Sequence, residues 1–266
     1  MQFGAAFAKS IFDEIGPGGT VFLRMLFAAT VLMLIWRPRV SGHSRRDLGL
    51  ILLFGISLAG MNGTFYAALD RIPLGVAVTF EFVGPLSVAV FGSRRPLDLI
   101  WVVLAAAGIV LLSDFGGADL DGLGVALALT AGAFWAAYIL LSARVGQVFP
   151  GGDGLALAML VAVVPLAPLG IAQGGSDLLV LGVLGVGFGV AMLSSAIPYT
   201  LELEALRRLP AGVFGVLMSL EPALAATAGF LVLGEDLVAR EIVAIMLVVA
   251  ASAGATRGAT LALRDA

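Results

Sequence analysis

The stretch Leu69-Asp70-Arg71-Ile72-Pro73-Leu74-Gly75-Val76 recurs in altered form 137 residues later, as Leu206-Arg207-Arg208-Leu209-Pro210-Ala211-Gly212-Val213. Each copy continues with a proline, an alanine and a glycine at unchanged spacing: Pro85, Ala89 and Gly92, then Pro222, Ala226 and Gly229. Eight of the 24 aligned positions are identical. Both copies lie in nearly unbroken apolar sequence. A duplicated membrane half is typical of secondary transporters, whose substrate sites lie where the halves meet.

The composition indicates a membrane protein. Of the 266 residues, 60% are hydrophobic and 12% are charged, and the mean hydropathy is +1.08. Soluble domains carry about 25% charged residues, so this chain needs a bilayer as solvent. It has no cysteine and one histidine, which argues against disulfides, Cys/His metal clusters and Cys-His or Ser-His nucleophiles. The net charge of −3 does not indicate nucleic-acid binding. We therefore expect a protein that is not an enzyme and that carries no cofactor or metal.

Apolar runs between charged and turn residues predict an all-α integral membrane fold with nine spanning helices. Residues 1–15 resemble the end of a further helix but are too short to span. The turn Pro17-Gly18-Gly19 matches Pro150-Gly151-Gly152, which places this end opposite a complete helix of the second half. We therefore predict a ten-helix inverted repeat (5+5) with a truncated first helix: residues 1–119 form the first repeat and 120–266 the second. The nine predicted spans are 19–36, 48–69, 73–93, 97–113, 122–143, 154–172, 178–201, 209–233 and 238–257.

Arginine placement predicts the orientation. The truncated helix is counted here as the first of ten. Eleven arginines then follow the even-numbered helices or lie in the C-terminal tail, whereas only Arg71 and Arg240 lie in loops on the other side. By the positive-inside rule the C-terminus is cytoplasmic. Five helices per half is an odd number, so the second half is inverted relative to the first. Fourteen arginines against one lysine are typical of a high-GC bacterium, so we expect a multi-pass protein of the bacterial inner membrane.

Two acids lie near the middle of predicted spans, where an ionisable side chain indicates function because its insertion is costly. Glu81 lies one turn before Pro85, and Glu221 lies directly before Pro222. Each proline removes a helical hydrogen bond, which frees the carbonyls of Glu81 and Met218. Such carbonyls are tolerated only where they face protein or a watery cavity. We predict Glu81 as the proton-coupling residue, and Glu221 and Met218 as part of the substrate cavity.

Other polar residues on the spans are weaker candidates. Lys9 is predicted to reach the cavity, where it faces a substrate carboxylate, with pairing to Asp13 as the alternative. Arg24 lies about one turn inside its span and is predicted to extend to the membrane surface. The remaining candidates have polar tips and lie on spans that face the interface between halves: Asn62, Tyr66, Trp135, Tyr138 and Tyr199.

Three segments carry a family resemblance: GAAFAKSIF (4–12), FYAALDRIPLGVAVTFEFVGPLSVA (65–89) and SSAIPYTLELEALRRLPAGVFGVLMSLEPALAATAGFLVLGE (194–235). With them the chain resembles the EamA-type drug/metabolite transporters, in particular the branch that contains the threonine and homoserine exporter. The resemblance implies a ten-helix exporter of small metabolites, driven by proton exchange through a central cavity. The glutamates of its FEFVGP and SLEP motifs correspond to Glu81 and Glu221.

Several functions stay open from the sequence. The leading hypothesis is proton-coupled export of amino acids such as threonine or homoserine, with substrate, proton and lipid bilayer as the partners. Two acids near the membrane centre would equally suit efflux of cationic drugs. A channel could use them as a pore ring, and a scaffold without coupled transport is a further alternative. The oligomeric state, monomer or homodimer, is not determined by the sequence.

Overall fold

The computed structural model describes residues 11–39, 42–92, 96–112, 121–220, 224 and 239–264, and their secondary structure is entirely helical. Five helical segments are long and apolar enough to cross a membrane: Glu14–Trp36, Arg45–Leu69, Gly122–Val148, Asp153–Leu179 and Leu181–Arg208. The all-helical membrane class is therefore confirmed, whereas the nine-helix count and the 5+5 arrangement stay predictions. In chain order the α-helices are α1 (Phe12–Trp36), α2 (Arg45–Leu69), α3 (Leu74–Glu81), α4 (Val83–Gly92), α5 (Pro96–Leu112), α6 (Gly122–Val148), α7 (Asp153–Gly174), α8 (Leu181–Ala191), α9 (Ile197–Arg208), α10 (Ala211–Met218) and α11 (Ala239–Arg264).

The two copies of the repeated sequence have the same local backbone over Pro73–Phe82 and Pro210–Ser219. Helices α3 and α10 each contain eight residues and follow a proline in an extended conformation, with φ −56° and ψ 144° at Pro73 and φ −58° and ψ 139° at Pro210. Both helices end at equivalent positions, where Phe82 has φ −63° and ψ −13° and Ser219 has φ −63° and ψ −16°. The extended prolines begin the helices because proline fixes φ and needs no hydrogen-bond acceptor in the first turn.

Helix α1 is interrupted near the N-terminal end of the described residues. Gly16, inside α1, has φ 69° and ψ 169°, a conformation that favours glycine because it lacks a Cβ. Phe12–Ile15 therefore forms a separate short turn, and the predicted boundary at residue 15 coincides with this break. Beyond it, the N–H of Gly18 donates to Gln173 Oε1 on α7 (2.6 Å), which satisfies a helix N-terminal donor inside the protein.

Two pairs of helices that the predicted repeat relates to each other are in contact. Helix α1 packs along α7, which is its counterpart at a shift of 133 residues, and α5 packs along α11, its counterpart at 137. Small residues allow these approaches: a Cβ placed on Gly170 would lie 2.3 Å from the Cβ of Phe22, and one on Gly108 would lie 2.9 Å from the Ala244 carbonyl oxygen. When two halves are related by a two-fold axis, the helices that lie beside the axis contact their own counterparts. The two contacts are therefore consistent with the predicted repeat.

The break between α3 and α4 packs directly against α6. A Cβ on Gly84 would lie 2.0 Å from the carbonyl oxygen of Gly132, and one on Gly132 would lie 2.6 Å from the carbonyl oxygen of Glu81. Pro85 is buried and cannot donate to that Glu81 carbonyl. The freed carbonyl therefore faces protein, which is one of the two environments expected from the sequence.

Candidate functional site

A buried polar cluster joins α1, α2 and α9, with Asn62 at its centre. The Nδ2 of Asn62 donates to the carbonyl oxygen of Leu58 (2.8 Å) and to the hydroxyl of Tyr199 (3.2 Å). Because a carbonyl can only accept, the bond to Leu58 defines which end of the amide carries the nitrogen. The amide oxygen accepts a hydrogen bond from Nη2 of Arg24 on α1, and the Tyr199 hydroxyl lies 3.4 Å from the same oxygen.

Arg24 does not extend to the membrane surface, so that prediction is wrong. Its side chain is buried, with 7% of the residue exposed, and its guanidinium carbon lies 5.1 Å from the centre of the Tyr66 ring. Helix α1 packs against α2, α7 and α8, and Arg24 lies among the residues of α1 that this packing buries. A cation over an aromatic face is stabilised by the negative potential of the ring.

A hydroxyl–carboxylate pair, Tyr138 and Glu202, extends the cluster toward α6. The hydroxyl of Tyr138 donates to Oε2 of Glu202 (2.9 Å), and the rings of Tyr138 and Tyr199 lie 5.5 Å apart. Glu202 is 8% exposed. Hydroxyl donation to a buried carboxylate satisfies part of its hydrogen-bonding capacity, without which its burial would be costly.

Sequence reasoning missed Glu202 because the predicted span ended at residue 201, before a group of charged residues. The helix in fact continues to Arg208. The spacing of Tyr199, Glu202 and Leu206 places all three on one helical face, and all three are buried. Glu204 lies on another face, where it pairs with Arg207 and Arg208. The periodicity could therefore have distinguished the two glutamates.

A π-helical turn precedes the Tyr199 face. Residues Met192–Ala196 form this turn, and the N–H of Ile197 donates to the carbonyl of Met192, five residues earlier. Pro198 has no N–H, so it cannot bond the carbonyl of Ser194 as an α-helix requires. The wider turn accommodates this missing donor and rotates the residues that follow, in line with the frequent occurrence of π turns at functional sites.

The structure brings together four of the predicted cavity residues: Asn62, Tyr66, Tyr138 and Tyr199. Trp135 is buried beside them but packs edge-on against Phe82 at the α3–α4 break, with ring centres 4.9 Å apart. Met218 ends α10 and packs against the same core. Lys9, Glu221 and Pro222 lie outside the described residues.

Glu81 is half-buried at the last position of α3. It interacts electrostatically with the Tyr199 hydroxyl, as do Arg24 and Glu202. The charged groups of α1, α3 and α9 therefore act on one hydroxyl at the centre of the cluster. A few polar and charged groups that converge in an otherwise apolar region are typical of small-molecule sites.

Two other regions bear on the chemistry. An open groove of about 960 Å³ lies between the start of α2 and the end of α6, with Arg46 and Arg144 among its lining residues. None of the predicted site residues lines it. Within the part of the chain that the structure describes, no group of three or more His, Cys, Asp or Glu side chains could hold a metal ion.

Comparisons with known proteins agree on the class of this chain. The sequence matches the EamA-like transporter family over residues 3–114 and 122–257. It is 44% identical to the threonine/homoserine exporter RhtA of Salmonella typhimurium and 43% identical to that of Escherichia coli, in each case over 96% of this chain and 87% of the relative. An uncharacterized transporter of Bacillus subtilis, YwfM, is 27% identical over 81% of this chain and 76% of its own length.

The fold also has a solved counterpart. A crystal structure that is 21% identical aligns with a TM-score of 0.74 and covers 96% of this chain and 92% of its own. At that identity the likeness concerns the fold alone. The family match extends over nearly the whole length of the sequence, and its apolar helices make this a multi-pass membrane protein. The chain belongs to the EamA-like transporter family.

Proposed function

We propose that this chain exports small amino acids, threonine and homoserine first among them, by proton antiport with alternating access. The substrates are those named for its relatives in Salmonella typhimurium and Escherichia coli. The observation that carries the proposal is the hydrogen bond between Asn62 and Tyr199, residues 137 positions apart, inside a buried polar cluster. The shift of the repeat is also 137, so equivalent positions of the two halves meet at the candidate site.

Alternating access follows from the proposed architecture. Residues 1–119 and 120–266 form two inverted repeats, which the two matched segments and the paired breaks at Phe82 and Ser219 support. A site that lies on the axis between such repeats opens to one side or the other as one bundle rocks against its partner. The arginine distribution places the C-terminus in the cytoplasm of a bacterium, with the protein in the inner membrane.

The chemistry of the cluster suits a small zwitterion. It offers a guanidinium, an amide, tyrosine hydroxyls and a carboxylate within one buried region. Threonine and homoserine carry complementary groups: a carboxylate, an ammonium and a hydroxyl. Efflux of cationic drugs is less well supported, because Arg24 would repel an organic cation from this region.

Proton coupling is assigned to Glu81, and Glu221 and Lys9 remain proposed cavity residues. Glu81 acts electrostatically on Tyr199, so a change in its charge alters the field at the cluster. When outward substrate movement is coupled to inward proton movement, the acid alternates between a protonated and an ionised form. Glu81 lies at the end of a short helix, where a small rearrangement of the α3–α4 break can expose it to either side.

Transport in proteoliposomes tests the proposal. With purified protein, an imposed pH gradient should drive threonine movement, and unlabelled threonine on the far side should accelerate uptake of labelled threonine. A channel or a scaffold would give no such trans-acceleration. Liposomes without protein serve as the control, and the absence of threonine and homoserine transport under both conditions would overturn the proposal.

A further inference from the structure

Arg24 is an unusual group to find inside this core. Its side chain is more than nine-tenths buried, yet its Nε has no hydrogen-bond partner among the described residues. Among ion pairs between two described residues, Arg71 pairs with Asp121, and Arg207 and Arg208 pair with Glu204. None of these pairs includes Arg24, so no described carboxylate lies within 4.0 Å of its guanidinium. Burial of an arginine in this way is costly unless an anion joins it, because the group stays protonated at any ordinary pH.

The groups that do contact Arg24 hold it in one orientation. Asn62 accepts from Nη2 and is itself anchored to the Leu58 carbonyl, while Tyr66 covers one face of the guanidinium. This leaves the Nε–H uncommitted and the group already oriented. A rigid planar fork of N–H donors is the geometry that recognises a carboxylate through paired hydrogen bonds.

We infer that Arg24 binds the carboxylate of the transported amino acid, an inference that rests on the proposed export function. The guanidinium supplies the charge and the hydrogen-bond fork, and Asn62 and Tyr66 position it. Because the cluster is buried, the carboxylate reaches Arg24 only when the two halves open to one side. Substrates that lack the carboxylate are therefore bound poorly even when they keep the ammonium and the hydroxyl.

The repeat supplies only one such site for each chain. At the shift of 133 residues that relates α1 to α7, the counterpart of Arg24 is Leu157, a buried apolar residue. The two halves meet symmetrically at Asn62 and Tyr199, but the positive charge lies on one side only. A single substrate carboxylate satisfies this arrangement.

Ligand-induced stabilisation tests the inference without transport. The chain has three tryptophans and no cysteine, so unfolding of the detergent-solubilised protein can be followed by tryptophan fluorescence. L-threonine should raise the unfolding temperature. L-threoninamide, which keeps the ammonium and the hydroxyl but lacks the negative charge, should need at least about tenfold higher concentration for the same effect. Equal stabilisation by the two compounds, or by neither, would overturn the inference.

Substitutions separate a binding role from a structural one. Arg24→Gln and Arg24→Lys should weaken the response to threonine at least about tenfold and reduce the preference over the amide, the lysine variant less severely because it keeps the charge. Arg39→Gln, an exposed loop arginine, should retain both properties. If either Arg24 variant folds and binds threonine as tightly as the parent protein, the inference is wrong.

Asn62→Asp covers the case in which the Arg24 variants fail to fold. It places a carboxylate where the amide oxygen now accepts from Arg24, so the protein supplies the anion itself. The variant should fold and should bind threonine at least about tenfold more weakly. Undiminished threonine binding in this variant would contradict the inference. Export assays test the proposed function separately. Unchanged threonine export by Arg24→Lys would show that Arg24 does not bind the substrate carboxylate, and it would leave the proposed export function intact.

Discussion

Asn62 donates a hydrogen bond to Tyr199 (3.2 Å), and the two residues are separated in sequence by the same 137 positions that separate the two copies of the repeat. Under the proposed inverted repeat, each residue is the counterpart of the other. In an object with two-fold symmetry, only positions on the axis contact their own counterparts. In the proposed architecture the bond therefore lies on the axis between the halves, where inverted-repeat transporters have their substrate sites.

Removal of this bond should impair transport more than folding. Tyr199→Phe keeps the ring but removes the hydroxyl, and it leaves Asn62 Nδ2 with Leu58 as its acceptor. One buried hydrogen bond contributes about 1 kcal/mol to stability, so the unfolding temperature should fall only slightly. Threonine export should fall at least about tenfold, because the candidate site loses the Tyr199 hydroxyl and with it the bond between α2 and α9.

The matched control for Tyr199→Phe is Thr130→Val. It removes a hydroxyl on an exposed face of α6 that bonds only to the Ala126 carbonyl in its own helix. Export by this variant should equal that of the parent protein. A double substitution of Asn62 and Tyr199 should cost less than the sum of the two single effects, since both remove the same interaction. If the effect of the double substitution equals the sum of the two single effects, Asn62 and Tyr199 do not bond to each other in the functional state.

Prolines in the sequence predict helix interruptions at two sites, and α3 and α10 end at these sites. The breaks at Phe82 and Ser219 follow from prolines whose effect on the helix depends only on neighbouring residues. Likewise, the polar tips of Asn62 and Tyr199 stand out in apolar sequence. Such local signals need no knowledge of which helices are neighbours.

Arg24 and Glu202 needed information that a linear pattern lacks. A charged residue near a span end is compatible with either burial or exposure, and the neighbours of that helix face decide between them. For Arg24 the deciding contact is the amide of Asn62, which lies 38 residues away in sequence. For Glu202 the decision depends on Tyr138, which lies 64 residues away. Only the tertiary fold places these partners.

Glu81→Gln should abolish export driven by a pH gradient while leaving protein levels near normal. The amide has almost the same shape as the carboxyl group but cannot exchange a proton, so coupling is lost without a large change in packing. The measurement is threonine export in proteoliposomes with and without an imposed pH gradient. Glu204→Gln, on an exposed face of α9, is the matched control and should retain the response. If Glu81→Gln responds to the gradient as strongly as the parent, Glu81 is not the coupling residue.

Gly84→Ala should destabilise the α3–α4 break. The new Cβ would lie 2.0 Å from the backbone oxygen of Gly132, and a backbone atom cannot be moved aside by a rotamer change. Helices α4 and α6 would have to separate, at a cost of about 3 kcal/mol. Tryptophan-monitored thermal unfolding should show a clearly lower midpoint.

Gly185→Ala is the control for this packing argument. A Cβ at Gly185 has no heavy atom within 4 Å, and alanine is favoured over glycine within a helix by up to about 1 kcal/mol. This variant should therefore unfold at the same temperature or slightly higher. Equal unfolding temperatures for Gly84→Ala and Gly185→Ala would show that the close approach of Gly84 to Gly132 is absent in the folded protein.

Acid should weaken the link between the α2–α3 turn and the start of α6. Arg71 donates to Asp121 (2.9 Å), and together with the N–H of Leu123 it lowers the pKa of the Asp121 carboxyl below its ordinary value of 3.8. A lowered pKa in the folded state means that Asp121 contributes stability above about pH 4, and that this contribution disappears as the pH falls through the lower folded-state value.

Asp121→Asn keeps a capping side chain for α6 but removes the charge. The parent protein should therefore unfold at a higher temperature than Asp121→Asn near neutral pH, and the difference should vanish in strong acid. Because both side chains are well exposed, high salt near neutral pH should also reduce the difference. Equal unfolding temperatures of the two proteins near neutral pH would show that Asp121 acts only as a helix cap.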